Sequence, residues 1–166
     1  PYTHWDNRWI PDQEGVKIAA RLVDRSGMIT MTEAVEDVTL DHGDRVVKMY
    51  HSDDVPESFA IQTGSASCTI EICDDLDNAF AAKLILSTFS GGTPDRVVSI
   101  NGTPLVRGGW GLWHRLGFCE EPLPVSLLKT GTNTFTIEAD YPGEHAFEVN
   151  WPGPVIIVEF LEEASG

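Results

Sequence analysis

Residues 96–140 read RVVSINGTPLVRGGWGLWHRLGFCEEPLPVSLLKTGTNTFTIEAD, and this stretch decides the fold. It opens on an alternating segment, Val97 and Ser99 against Val98 and Ile100, the period of two that a strand shows when its faces meet different surroundings. Asn101-Gly102 then supplies a tight hairpin turn, since both residues tolerate the positive φ it requires. A loop rich in Gly and Trp follows, then a second turn at Leu127-Leu128-Lys129-Thr130-Gly131. A second alternating segment, 134–138, closes the stretch. The order is that of an all-β chain.

Working outward, the same reading gives strands at 16–23, 28–32, 36–40, 45–50, 58–61, 66–73, 82–89, 96–100, 124–127, 134–139, 147–149 and 155–160. Turn chemistry separates them: Asp24-Arg25-Ser26-Gly27, Asp41-His42-Gly43-Asp44, residues 90–94, Gly131-Thr132-Asn133 and Trp151-Pro152-Gly153-Pro154. Short strands at this spacing predict an antiparallel β-sandwich. Helix is minor, a turn at 74–80. Residues 66–72 alternate cleanly, apolar Ala66, Cys68, Ile70 and Ile72 against Ser67, Thr69 and Glu71, as on a sheet with one wet side. Val155, Ile156, Ile157 and Val158 are continuously apolar, which predicts a central strand covered on both faces. Residues 1–14 carry Tyr2, Trp5, Trp9 and Ile10 and read as an ordered N-terminal arm. With no repeat or linker, residues 1–166 form a single domain. A start at Pro1, without a basic-then-apolar leader, suggests a domain excised from a larger multidomain protein whose targeting signal lies upstream.

The 166 residues suffice to bury roughly 70% of the surface the unfolded chain exposes. There is no run of about 18 apolar residues, so no helical membrane span is expected. Twenty-six acidic and 11 basic residues give a net charge of −15. Such a surface repels phosphate backbones and anionic lipid, which argues against nucleic acid and membrane as partners. It weighs equally against strongly polyanionic polysaccharides and leaves neutral glycans open. Three cysteines leave at least one unpaired. Cys68 and Cys73 lie on one strand at an odd offset, about 16 Å apart in Cα position, beyond disulfide reach. Cys119 could pair with either; free thiols are the expected state.

The pieces Ser99-Ile100-Asn101-Gly102, Gly108-Gly109-Trp110, residues 124–128, Lys129-Thr130-Gly131 and Asn133-Thr134 resemble the sugar-binding jelly roll of family 2 glycoside hydrolases and related galactose-binding-like modules. The segments 68–72 and 82–86 match the strand pair expected upstream, and 155–160 resembles the closing strand of carbohydrate-binding jelly rolls. The resemblance covers about the C-terminal 100 residues. It implies an all-β, galactose-binding-domain-like jelly roll that serves as a non-catalytic carbohydrate-binding module, secreted with an appended carbohydrate-active enzyme. The partners it implies are a polysaccharide or oligosaccharide and a catalytic domain in the same parent chain.

Trp110, Trp113, His114 and Arg115, with Arg107 upstream, form the densest cluster suited to binding. Sugar C–H patches stack on aromatic faces while hydroxyls need fixed donors and acceptors, and this loop offers both. The structural alternative is that Trp110 or Trp113 plugs the end of the sandwich and Arg115 pairs with Glu120 or Glu121. His145, with Glu148 and Trp151, is a further ligand candidate near the last strand. Trp5 and Trp9, four apart on an extended arm, share a face; they make either a second sugar platform or a staple that fastens the arm to the core. The acidic pairs Asp53-Asp54, Asp74-Asp75, Glu120-Glu121 and Glu162-Glu163 read as solvated loops, because a glycosidase needs carboxylates facing each other across ~5–9 Å. Asp41 and Asp44, with Glu33, Glu36 and Asp37, are candidates for a structural calcium, an ion that modules of the resembled kind often carry. Glu159 is a further candidate ligand. Two rival readings are a small β-sandwich polysaccharide lyase or hydrolase drawing on Tyr141, His114 and Arg115, and a structural accessory domain that binds no sugar. No Gly-x-Ser-x-Gly elbow or nucleotide-binding glycine motif is present.

Overall fold

The chain first lays down a long hairpin. β1 (Gln13–Ile18) pairs with β4 (Val35–Leu40), and further out β2 (Arg21–Val23) pairs with β3 (Ile29–Met31). Neither ribbon joins a larger sheet. β5 (Arg45–His51), β6 (Ala60–Ile61), β7 (Thr63–Ile72), β8 (Ala79–Phe89), β9 (Arg96–Ile100), β10 (Thr103–Arg107), β11 (Leu116–Leu123), β12 (Gly131–Asp140) and β13 (Phe147–Leu161) follow. This computed structural model describes residues 4–89, 96–107, 114–140 and 146–161.

Four antiparallel pairings nest inside one another: β9 with β10, β8 with β11, β7 with β12 and β5 with β13. Together they form a double ribbon whose tip is the turn at Asn101-Gly102. Folding that ribbon over adds β9 to β12 and β8 to β13. The result is two facing sheets, ordered β10-β9-β12-β7 and β11-β8-β13-β5, with β6 on β13. That order is an eight-stranded jelly roll, so the all-β antiparallel sandwich expected from sequence is the fold.

The core lies between the sheets. Alternation sends Cys68, Ile70 and Ile72 of β7 inward, with Leu84 and Leu86 of β8, Phe135 and Ile137 of β12, and Ile156 and Val158 of β13. Phe59 meets Phe135 edge to face with ring centroids 5.9 Å apart, a favoured aromatic geometry. Cys68 is buried and Cys73 exposed, as their odd offset requires, and all three cysteines are free.

The turn residues that carry the resemblance turn out to be joined to one another. Asn101 (φ 51°) and Gly102 (φ 79°) both take the left-handed backbone of the hairpin turn. The Asn101 amide donates to the Leu127 carbonyl at 2.8 Å and to Asn133 Oδ1 at 2.9 Å, while its oxygen accepts from Thr134 N–H at 3.0 Å. Asn133 is fully buried, donates to the carbonyls of Lys129 (2.7 Å) and Gly131 (2.9 Å), and accepts from Lys129 N–H (3.0 Å). Two side-chain amides thus fasten the turns that open β10 and β12.

Several boundaries differ from expectation. Residues 103–107 and 116–123 are the strands β10 and β11, hidden in sequence by Pro104, Gly117 and Pro122. Both are edge strands, where a residue without N–H is tolerated. Residues 125–127 form a 3-10 turn rather than a strand. Residues 16–23 break into β1 and β2, and 74–80 hold a turn, closed by Ala79 N–H on the Leu76 carbonyl at 3.0 Å, in place of helix. The segment at Trp151-Pro152-Gly153-Pro154 does not end a strand. It is a bulge inside β13, where pairing with β8 skips from Asn150 to Val155.

Among the described residues of the arm, Trp9 lies on the outer side of the five-stranded sheet. Val47, Val155 and Ile157 form a second small core there, packed against Trp9 and Ile85. This second layer is why residues 155–158 are apolar without alternation. Arg8 Nε donates to Glu159 Oε2 at 2.7 Å and Arg45 Nη1 to Oε1 at 2.8 Å, with Glu159 fully buried. His42 Nδ1 bonds Asp12 and its Nε2 meets the Asn7 carbonyl at 3.1 Å. The His42 contact holds the Asp12 carboxyl below its usual range.

Candidate functional site

On the outer face of the five-stranded sheet, directly paired residues share a side, so register alone maps it. The row along β8 is Ala81, Lys83, Ile85, Ser87 and Phe89. β11 sets Pro122, Glu120, Phe118 and Leu116 beside Lys83, Ile85, Ser87 and Phe89 in turn. β13 sets Ile157, Val155, Asn150 and Glu148 beside the same four. The arm covers one half: Trp9 lies with its ring centroid 4.9 Å from the Arg8 guanidinium and 5.0 Å from Lys83 Nζ. Lys83 also pairs with Glu120 at 2.6 Å.

Among the described residues nothing covers the other half, a floor that carries Phe89, Leu116 and Phe118 with Ser87, Asn150 and Glu148. Leu116 is 69% exposed, Phe118 68% and Trp151 91%. Trp151 belongs to the unpaired β13 bulge that follows Asn150. Solvated apolar side chains lose water-exposed area only when something lies on them. In the row Phe118–Ser87–Asn150, the Asn150 Nδ2 atom is buried and has no hydrogen-bond partner among the described residues. An amide donor shut away from water without an acceptor costs roughly 1–3 kcal/mol.

The strand ends around this floor are those that flank the sequence candidates. β8 ends at Phe89, paired with both Leu116 and Glu148; β10 ends at Arg107, and Arg96 of β9 pairs with Ala139 near the end of β12. His114 (φ 57°) tilts against Phe89 with centroids 6.3 Å apart, and Arg115 is exposed beside it. Trp110, Trp113, His145 and Tyr141 lie outside the described residues. Trp9 behaves as the staple, while Trp5 remains 48% exposed. Phe118, Asn150 and Ser87 were not singled out in sequence, because only the register of β11 and β13 on β8 brings them into one row.

The remaining candidates fall elsewhere. Asp41 Oδ1 accepts from Gly43 N–H at 2.8 Å and Asp44 is exposed. Glu159 has both oxygens on arginines. Among the described residues no group of three or more His, Cys, Asp or Glu side chains is placed to hold a metal ion.

Two of the paired acids on the solvated loops are also anchored by hydrogen bonds. Asp54 accepts from Thr69 N–H (2.7 Å) and Oγ1 (2.8 Å) and from Ser52 Oγ (2.8 Å), bonds that hold its carboxyl below the usual range. Asp74 lies on a 420 Å³ cavity with Val46, Lys48, Asn78 and Phe160. It bonds Lys48 Nζ at 2.5 Å and accepts from Tyr50 Oη at 2.7 Å, which lower its pKa. A depressed carboxyl stabilises the fold above its unfolded value and loses that contribution as pH falls through the folded one. Asp74→Asn is therefore expected to destabilise the protein at pH 7, with a difference from wild type that shrinks below about pH 4. Urea unfolding at pH 7 and pH 3 reads it; a constant difference sinks the assignment.

No protein-family model matches this chain, and no curated protein sequence does. Among solved structures the fold is similar to part of BuGH86 in complex with neoagarooctaose. The wild-type complex is 13% identical with a TM-score of 0.53, covering 93% of this chain and 29% of that one. A variant complex is 13% identical at 0.51, covering 89% and 28%. A β-porphyranase of glycoside hydrolase family 86 from the human gut bacterium Bacteroides plebeius is 17% identical at 0.49, covering 97% and 32%. The chain thus spans about a third or less of the length of these proteins, and the likeness is one of fold.

Proposed function

We propose that this chain is a non-catalytic carbohydrate-binding domain that holds a neutral polysaccharide for an appended carbohydrate-active enzyme. The observation that carries the reading is the row of exposed Leu116 and Phe118 on this face, with the Asn150 amide in the Phe118 row and Trp151 exposed in the adjoining β13 bulge. An apolar platform with a few oriented polar groups is what a sugar ring requires, C–H faces on the rings and one oxygen on the amide. Glu120 and Glu148 flank this floor, and with the net charge of −15 they favour uncharged glycans over sulfated or uronate ones. In this reading Trp110, Trp113, His114, Arg115, Arg107 and His145 are the further ligand contacts to be tested by substitution. Tethering raises the local substrate concentration of a linked enzyme without chemistry of its own.

Agaro-oligosaccharides are the first ligands to titrate, since two structures sharing the fold were solved with neoagarooctaose. Calorimetry with these and a panel of neutral and sulfated glycans, with and without chelator, reads the outcome. Trp151→Ala and Phe118→Ala are each expected to weaken binding about threefold to tenfold, the range of a lost stacking contact. Asn150→Ala is expected to act in the same direction. Binding left intact by these three and by Trp110→Ala with Trp113→Ala would place the ligand elsewhere.

A further inference from the structure

Among the described residues, the β1–β4 and β2–β3 ribbons of the hairpin at 13–40 pair only within themselves, and neither enters a sheet of the sandwich. A two-stranded ribbon is marginal in water unless something covers it. The outer half is also unusually apolar. Leu22, Val23, Met28, Ile29, Met31 and Val35 are all more than half exposed. Register puts Val23 opposite Ile29, and Arg21 opposite Met31 on the same side. The turn beyond is rigid: Asp24 Oδ1 accepts from Ser26 N–H (2.7 Å), Ser26 Oγ (2.6 Å) and Met28 N–H (3.0 Å). The ribbon is therefore a formed arm with an apolar side and two unpaired edges.

Its charge is divided along its length. The tip, residues 20–32, carries Arg21 and Arg25 against Asp24 alone, a net +1. The base carries Glu14, Glu33, Glu36 and Asp37 against Lys17 alone, a net −3. The tip thus holds two of the 11 basic residues but one of the 26 acidic ones, leaving nine against 25 on the rest of the chain. A surface complementary to this arm must be acidic where the tip lands and basic where the base lands. The same arm reversed end for end meets both conditions.

We propose that two copies of this chain associate through these hairpins, packed antiparallel about a two-fold axis. The cationic tip of each arm then lies on the acidic base of the other, and the Val23–Ile29 side of each tip is covered by the partner's base. Such a contact is isologous, the same surface serving both copies, so it closes at two and does not propagate. It also covers the unpaired arm edges that would otherwise template further strand addition.

Sedimentation velocity on the whole chain across low- to high-micromolar concentration tests this. A concentration-dependent dimer is expected, and Val23→Asp with Ile29→Asp should leave only monomer while the far-ultraviolet spectrum and Tm of the sandwich persist. The decisive arm uses charge exchange. Arg21→Glu with Arg25→Glu, and separately Glu33→Arg with Glu36→Arg, should each dimerise at least tenfold more weakly than wild type, since like charges then meet at both contacts. Mixed together they should associate, because each altered segment faces its complement. A chain that stays monomeric throughout, or variants that do not associate on mixing, would overturn the proposal and leave the arm to a different protein surface.

Discussion

Replacing Arg8 and Arg45 together by methionine is expected to lower the unfolding free energy by about 3–5 kcal/mol, the loss typical of a buried ion deprived of its partners. Glu159 is completely buried on β13, and each of its oxygens accepts from one of these guanidinium groups, at 2.7 and 2.8 Å. The arginine side chains remain about two-fifths exposed, so they can regain water if the carboxylate is lost; Glu159 cannot. The direction of the effect follows from that asymmetry. Either single replacement leaves one arginine on the carboxylate and should cost clearly less than the pair. Adding Glu159→Leu to the double variant should recover most of the loss, because no charge is then left buried. Urea unfolding followed by tryptophan fluorescence measures all four proteins. A double variant within 1 kcal/mol of wild type would mean that Glu159 reaches water when the arm lets go.

Phe135→Ala is expected to cost a further class of energy, about 3–5 kcal/mol for a large core side chain removed without collapse of the site. Phe135 is fully buried on β12, whose neighbours β7 and β9 hold it on both sides, opposite Cys68 and Ile100. With both flanking strands paired, the backbone cannot close over the void, and Phe59 loses its edge-to-face partner. At about 2–4 °C per kcal/mol for a domain of this size, Tm should fall by more than about 6 °C. A change under 1 kcal/mol in chemical unfolding would show that neighbouring side chains refill the space.

The fold was legible where local rules and tertiary demands agree. Alternation at 66–72 and 134–138, and the Asn101-Gly102 turn, point to paired strands before any contact is known. Edge strands escaped the same reading, since β10 and β11 contain the Pro and Gly that argue against strand in a central position. The unbroken apolar run at 155–158 was legible as a strand covered twice, but what covers it was not: Trp9 lies about 146 positions upstream, and pairing it with Val47 and Ile157 is a matter of topology. The candidate site divides in the same way. A Trp-rich loop advertises itself by composition. Phe118 and Asn150 do not, because an ordinary Phe and an ordinary Asn become a platform and an unpaired donor only once β8 sets them side by side.

The separation of platform and arm also bears on how the molecule would act in company. The apolar floor uses the β11 side of the five-stranded sheet near Phe89, whereas the hairpin leaves and rejoins the body around Gln13 and Leu40. Association through hairpins therefore leaves Phe118 and Trp151 uncovered in each copy. Two floors on one particle would bind a long glycan with an avidity neither reaches alone, provided their spacing suits the chain they share.

The nested pairing of the strands sets the pace at which this protein can assemble. The innermost pair, β9 with β10, is joined by two residues and can close in microseconds. The outermost pair brings Arg45 against Leu161, so almost the whole sandwich sequence lies within that one loop. Its closure entropy must be met before any contact of the second core is gained. Nucleation is thus cheap at the Asn101 end and slow at the β5–β13 end. During synthesis the early strands wait for the last one, with β5, β7 and β8 edges open in the meantime. The carboxylates on the loops between those strands, Asp53, Asp54, Glu57, Asp74, Asp75 and Asp77, oppose contact between such half-built molecules by mutual repulsion until β13 arrives.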